Sequence, residues 1–104
     1  MSNEIFQGSN NVKMSFVVSN DSGVLNLADA TVTLRISLDG NVKPEKLCVI
    51  DNSILGKCSL ILLATDLTSI GRHRHQLKIE YSNGDLYYTS MQYFDVLKIL
   101  EEVV

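Results

Sequence analysis

A chain of 104 residues and 11.6 kDa has room for one hydrophobic core and not for two. Its hydrophobic content of 45% is enough to fill that core and excludes wholesale disorder. Nine Lys and Arg against twelve Asp and Glu leave a net charge of −3, which argues against a nucleic-acid binder, since such a protein needs a basic excess or a basic face.

The opening Met1–Asn10 has neither the basic region nor the apolar stretch of a secretory signal, so synthesis in the cytoplasm is expected. The first strand signal is the alternation of Val12, Met14, Phe16 and Val18 with Lys13 and Ser15. Asp21-Ser22-Gly23 then supplies a turn. A second alternation sets Val32, Leu34, Ile36 and Leu38 against Thr31, Thr33, Arg35 and Ser37, and ends at the turn Asp39-Gly40-Asn41. Pro44, the one proline, falls between strands, where its missing N–H breaks no ladder.

Two shorter runs, Leu47–Ile50 and Lys57–Leu60, flank a six-residue connection, Asp51 to Gly56, which predicts a hairpin with Cys48 and Cys58 roughly opposite and reduced. Thr65–Gly71 reads as one capped helical turn, with Thr65 or Asp66 accepting N–H bonds and Gly71 ending it. The third alternation is the longest. It places His73, His75, Leu77, Ile79 and Tyr81 on one face and Arg72, Arg74, Gln76, Lys78 and Glu80 on the other. Ser82-Asn83-Gly84-Asp85 is the strongest local hairpin signal, and it leads into Leu86–Thr89 and Tyr93–Ile99. The tail from Leu97 to Val104 has helical character but is too short to hold a helix alone. Seven or eight short strands joined by turns predict an all-β sandwich or barrel whose core includes Phe16, Leu34, Ile36, Leu77 and Ile79. No run approaches about eighteen apolar residues, so no membrane-crossing helix is expected.

Chemistry is sparse. His73 and His75 share a strand face at a spacing that suits two metal ligands, but a site needs a third ligand, and burial as hydrogen-bonded core rings is the expected role. Neither cysteine lies in a C-x-x-C motif or beside a nucleophile signature, and the glycines punctuate hairpins instead of cradling phosphate. No catalytic residue, cofactor or metal is therefore predicted. The sequon Asn20-Asp21-Ser22 is idle without a secretory route. What remains is a candidate partner-binding surface made of Arg72, Arg74 and Lys78 with Tyr87 and Tyr88. These two tyrosines are neighbours on a strand and so point to opposite faces.

The order of elements carries a resemblance. Ile5-Phe6-Gln7-Gly8-Ser9 precedes the strand Lys13–Val18 and the turn Asn20-Asp21-Ser22-Gly23. Leu25-Asn26-Leu27-Ala28-Asp29-Ala30-Thr31-Val32-Thr33-Leu34 leads to Asp39-Gly40, then Val49-Ile50-Asp51 to Gly56-Lys57-Cys58. Asp66-Leu67 with Gly71 follows, then the Asn83-Gly84-Asp85 hairpin and Phe94-Asp95-Val96. Over about residues 5 to 99 the chain resembles the N-terminal domain of baseplate upper proteins from tailed phages of Gram-positive hosts. It departs from that pattern at Ser9, where an acidic residue is usual, at Asp29, where glycine is favoured, and at His73, where an aromatic is frequent.

The resemblance implies an Ig-like antiparallel β-sandwich, non-catalytic, that docks adhesion or receptor-binding machinery onto a phage tail. Its partners would be other tail or baseplate proteins, with a homo-oligomer possible inside the assembly, and neither nucleic acid nor membrane. The competing reading is an Ig-like accessory module that binds a glycan or peptide within a larger surface protein. A hydrolase built on a metal at His73 and His75 is a remote third.

Overall fold

The computed structural model describes residues 4–99. Within them the chain forms twelve strand segments and one 3-10 turn. The segments are β1 (Glu4–Phe6), β2 (Val12–Val17), β3 (Ser19–Asn20), β4 (Gly23–Val24), β5 (Ala30–Leu38) and β6 (Asn41–Val42). They continue as β7 (Lys46–Leu47), β8 (Val49–Asn52), β9 (Lys57–Leu62), β10 (Gly71–Tyr81), β11 (Leu86–Tyr88) and β12 (Gln92–Leu97).

The larger sheet runs β1-β12-β10-β5-β6, with β11 also on β10 and β7 also on β5; the smaller runs β2-β9-β8. All pairings are antiparallel except β1 on β12. Take β1, β2, β5, β8, β9, β10 and β12 as seven principal strands. The second, fifth and fourth then form one sheet, while the third, sixth and seventh form the other, with the first laid along the seventh. That connectivity is an Ig-like sandwich. The remaining segments are short ladders of two or three residues, of which β11 falls within the run Leu86–Thr89.

The three alternations face as predicted. Val32, Leu34 and Ile36 from β5, Leu77 and Ile79 from β10, and Phe94 and Val96 from β12 meet Cys58, Leu60 and Leu62 of β9 in one core. Phe16 packs against this core while remaining partly exposed, because β2 is an edge strand. Leu27 and Leu67, from connecting segments, close the core and are fully buried.

Turn chemistry sets the hairpins. Asp39 (φ 51°) and Gly40 (φ 81°) both adopt left-handed backbone between Leu38 and its partner Asn41, the two-residue turn whose twist matches the strands. Gly56 (φ 65°) is packed so tightly that a Cβ would lie 2.6 Å from the Val18 carbonyl oxygen.

Three expectations are corrected. Cys48 is not opposite Cys58, since Ile50 holds that position. Cys48 instead ends the stretch paired to β5, donating its N–H to Val32 O at 2.8 Å, before the chain crosses to β9 as β8. The thiols still meet diagonally: both are free, and a hydrogen bond to Cys58, reinforced by burial, pushes the Cys48 thiol well above its ordinary range. The helical turn is 3-10 and spans Ala64–Leu67; Asp66 accepts from Leu63 N–H at 2.8 Å, while Gly71 opens β10 instead of closing the turn. A Lys46–Asp66 ion pair of 2.6 Å ties this turn to β7. The suggested helix at the C-terminus begins in what is strand, with Leu97 in β12, and residues 100–104 lie outside the described residues. Among the described residues no helix is long and apolar enough to cross a membrane.

Candidate functional site

β10 is the central strand of the larger sheet, so its outward residues define the middle of an open face. Register with its neighbours turns that face into rows. Arg72 lies beside Asp95, and Arg74 lies between Tyr93 and Ser37, with Val42 beyond Ser37. Gln76 lies beside Arg35. Lys78 lies between Tyr88 and Thr33, with Leu47 beyond Thr33.

The structure therefore brings Arg72, Arg74, Lys78 and Tyr88 together on one face. It separates Tyr87, which pairs with Ile79 on the inner parity and stands edge-on to Tyr81 at the sandwich rim, with ring centroids 5.9 Å apart. Both tyrosines are 48% exposed, since β11 is an edge segment. Tyr93, Arg35 and Met91 also belong to the outward surface and were not singled out from sequence. The run Tyr93–Ile99 does not fix its own buried face by pattern; the structure buries Phe94 and so turns its neighbour Tyr93 outward. The positions of Val42 and Leu47 follow only from register, which one-dimensional patterning lacks.

The cations on this face are not equivalent. Arg72 donates to Asp95 through Nε at 2.9 Å and through a terminal nitrogen at 3.3 Å, and its Cζ lies 4.3 Å from the Tyr93 ring centroid. Those hydrogen bonds and the paired charges hold Asp95 below, and raise Arg72 above, their ordinary values. Glu45 sits between Arg35 at 3.6 Å and Lys78 at 3.9 Å. The Arg74 side chain alone of the four has no ion pair or hydrogen bond among the described residues. Two shallow clefts flank it. One, of about 250 Å³, is bordered by Arg35, Val42, Gln76 and Met91, and the other, of about 310 Å³, by Ser37, Asp39, Gly40 and Arg72.

The inward face of the same strand is a stack of rings. His73 is fully buried and lies parallel to Phe94 at 5.0 Å, with an interplanar angle of 5°. Its Nδ1 is 3.1 Å from Gly71 O, which can only accept, so the proton sits on Nδ1. Its Nε2 is buried with no hydrogen-bond partner among the described residues. His75 lies between Phe16 at 5.9 Å and Phe94 at 5.7 Å. Burial pushes both imidazoles below their ordinary 6.5, so they are neutral core rings near pH 7. Among the described residues no three His, Cys, Asp or Glu side chains converge as a metal site.

Compared with models of known protein families and with curated proteins, the chain matches none.

Proposed function

We propose that this chain is a non-catalytic attachment domain of a phage tail or baseplate, which docks adhesion or receptor-binding machinery by contact across the outer face of its larger sheet. The observation that carries the contact role is the pair of parallel rows Tyr93–Arg74–Ser37–Val42 and Tyr88–Lys78–Thr33–Leu47. Each sets an aromatic, a cation, a hydroxyl and an aliphatic side by side. Arginine and tyrosine are favoured interface anchors, and an open sheet face can contribute to the roughly 1,200–2,000 Å² that a stable interface buries.

Two backbone and packing details support the resemblance to baseplate domains. Asp29 adopts left-handed backbone (φ 60°) where that pattern favours glycine, and His73 stacks as a ring where it favours an aromatic. On this reading the protein is made in the host cytoplasm and resides in the virion, among other tail proteins and with a second copy as a possible neighbour.

The test is incorporation. Arg74→Glu and Tyr88→Ala should fold normally yet be absent from purified tails, whereas normal incorporation of both removes this face from consideration. Antibody labelling of virions in negative stain separates the tail role from the second reading, an accessory module binding peptide or glycan. The clefts beside Arg74 are the observation favouring that alternative.

A further inference from the structure

We infer that the occupant of this face is an acidic polypeptide segment in extended conformation, with carboxylates four residues apart that meet Arg74 and Lys78; this deepens, and rests on, the reading of the face as the contact surface. Arg74 and Lys78 project from one strand on the same side, about 13 Å apart at the usual rise per residue. An extended partner has the same rise, so its residues i and i+4 match that spacing, whereas i and i+4 of a helix lie only about 6 Å apart along its axis.

Charge picks the sign. The chain as a whole carries −3, so it repels an acidic partner except where a cation is locally uncompensated. On this face, and among the described residues, Arg74 is that cation. Among the described residues Lys78 is held only by a 3.9 Å contact to a Glu45 carboxylate that Arg35 shares, so an incoming carboxylate can take it without stranding Glu45. Side chains beside the two cations pick the class of partner. Tyr93 and Tyr88 on one side, Val42 and Leu47 on the other, offer apolar surface that a polypeptide can cover and that a phosphate backbone cannot. Nucleic acid also needs many neutralising cations, and here Arg72 is already committed to Asp95.

The experiment uses the purified chain with isotope-labelled amides and the probe acetyl-Leu-Glu-Thr-Tyr-Thr-Glu-Leu-amide, whose two Glu are four apart. Saturable shifts at the amides of Arg74, Gln76, Lys78, Arg35 and Tyr93 are expected. Replacing both probe Glu by Gln, or the protein's Arg74 by Glu, should weaken binding about tenfold or more. Arg74→Gln, which removes the charge without reversing it, should weaken it in the same direction. No shift on this face, equal shifts with the Gln probe, or tighter binding of a sulfated hexasaccharide at the same amides would each overturn the inference. If Arg74→Glu is absent from tails while the probe does not bind, the acidic-segment inference fails and the attachment role stands.

Discussion

The two halves of β10 present similar cations outward over unlike interiors. From Gly71 to His75 the strand pairs with β12, and beneath it His73 stacks on Phe94 while His75 packs at a tilt against Phe94 and Phe16. From Leu77 to Tyr81 it pairs with β11, and beneath it Leu77 and Ile79 lie beside Leu34 and Val32 in an aliphatic layer. An aliphatic layer is stable at any pH, whereas a layer of buried imidazoles is stable only while they stay neutral. One strand thus divides the core into a part indifferent to protons and a part sensitive to them.

The largest expected effect breaks the aliphatic half. Leu77→Ala should cost about 2–5 kcal/mol in urea unfolding at pH 8, where both histidines are neutral, while Lys78→Ala should stay within about 0.5 kcal/mol. Equal losses would mean the faces of β10 are reversed.

The second prediction isolates the imidazole half. A histidine whose folded pKa is depressed binds its proton more readily when unfolded. Stability is therefore full above the unfolded value of 6.5 and falls as pH drops below it, until the folded pKa is reached. Two such groups give a slope of at most about 2.7 kcal/mol per pH unit. Around His73, Lys43 deepens the depression while Asp39 and Asp95 oppose it. Urea midpoints at pH 8, 6.5 and 5.5 should fall in that order, and His75→Phe should flatten the trend by about half. A flat profile in the parent protein would show that the rings are solvated. Asp66 adds a separate limb. Burial alone would raise it, yet the Lys46 hydrogen bond, the Leu63 N–H and the charges of Lys46 and Lys43 hold it below its ordinary 3.8. Its contribution is lost only in stronger acid.

A smaller effect distinguishes the tyrosines at the rim of the aliphatic half. Tyr87→Ala should cost about 0.5–1.5 kcal/mol through loss of the edge-on contact with Tyr81, and Tyr88→Ala less, by thermal melting at pH 8. The smallest is Arg72→Ala, which should leave the thermal midpoint unmoved despite its ion pair, because both partners are solvent-screened.

The faces of β2, β5 and β10 were legible because one side of each strand is packed and the other wet, which writes period two into the chain. Gly40 and Gly84 were legible because few other residues accept their backbone. Pairings were not. Whether Cys48 faces Cys58 or lies one same-face step away depends on where the chain changes sheets, and that depends on a backbone bond to Val32 with no side-chain signature. The candidate face was half legible for the same reason. Arg72, Arg74 and Lys78 share a strand and hence a parity, while Tyr93, Val42 and Leu47 reach the same surface from other strands. Tyr87 and Tyr88 could be assigned to opposite faces but not told apart, since both are aromatic and half exposed.

The parallel pairing of β1 with β12 has a mechanical consequence. Glu4 opposes Asp95 and Phe6 opposes Leu97, and Gln7 N–H donates to Leu97 O at 2.8 Å. Because the strands run the same way, chain entering β1 and chain leaving β12 depart from opposite ends of the ladder. Tension applied through the two flanks therefore loads these backbone bonds in shear, together, instead of opening them one at a time like a zipper. Force along the chain is therefore resisted first at this short parallel seam, before the ring layer or the aliphatic layer of the core is disturbed.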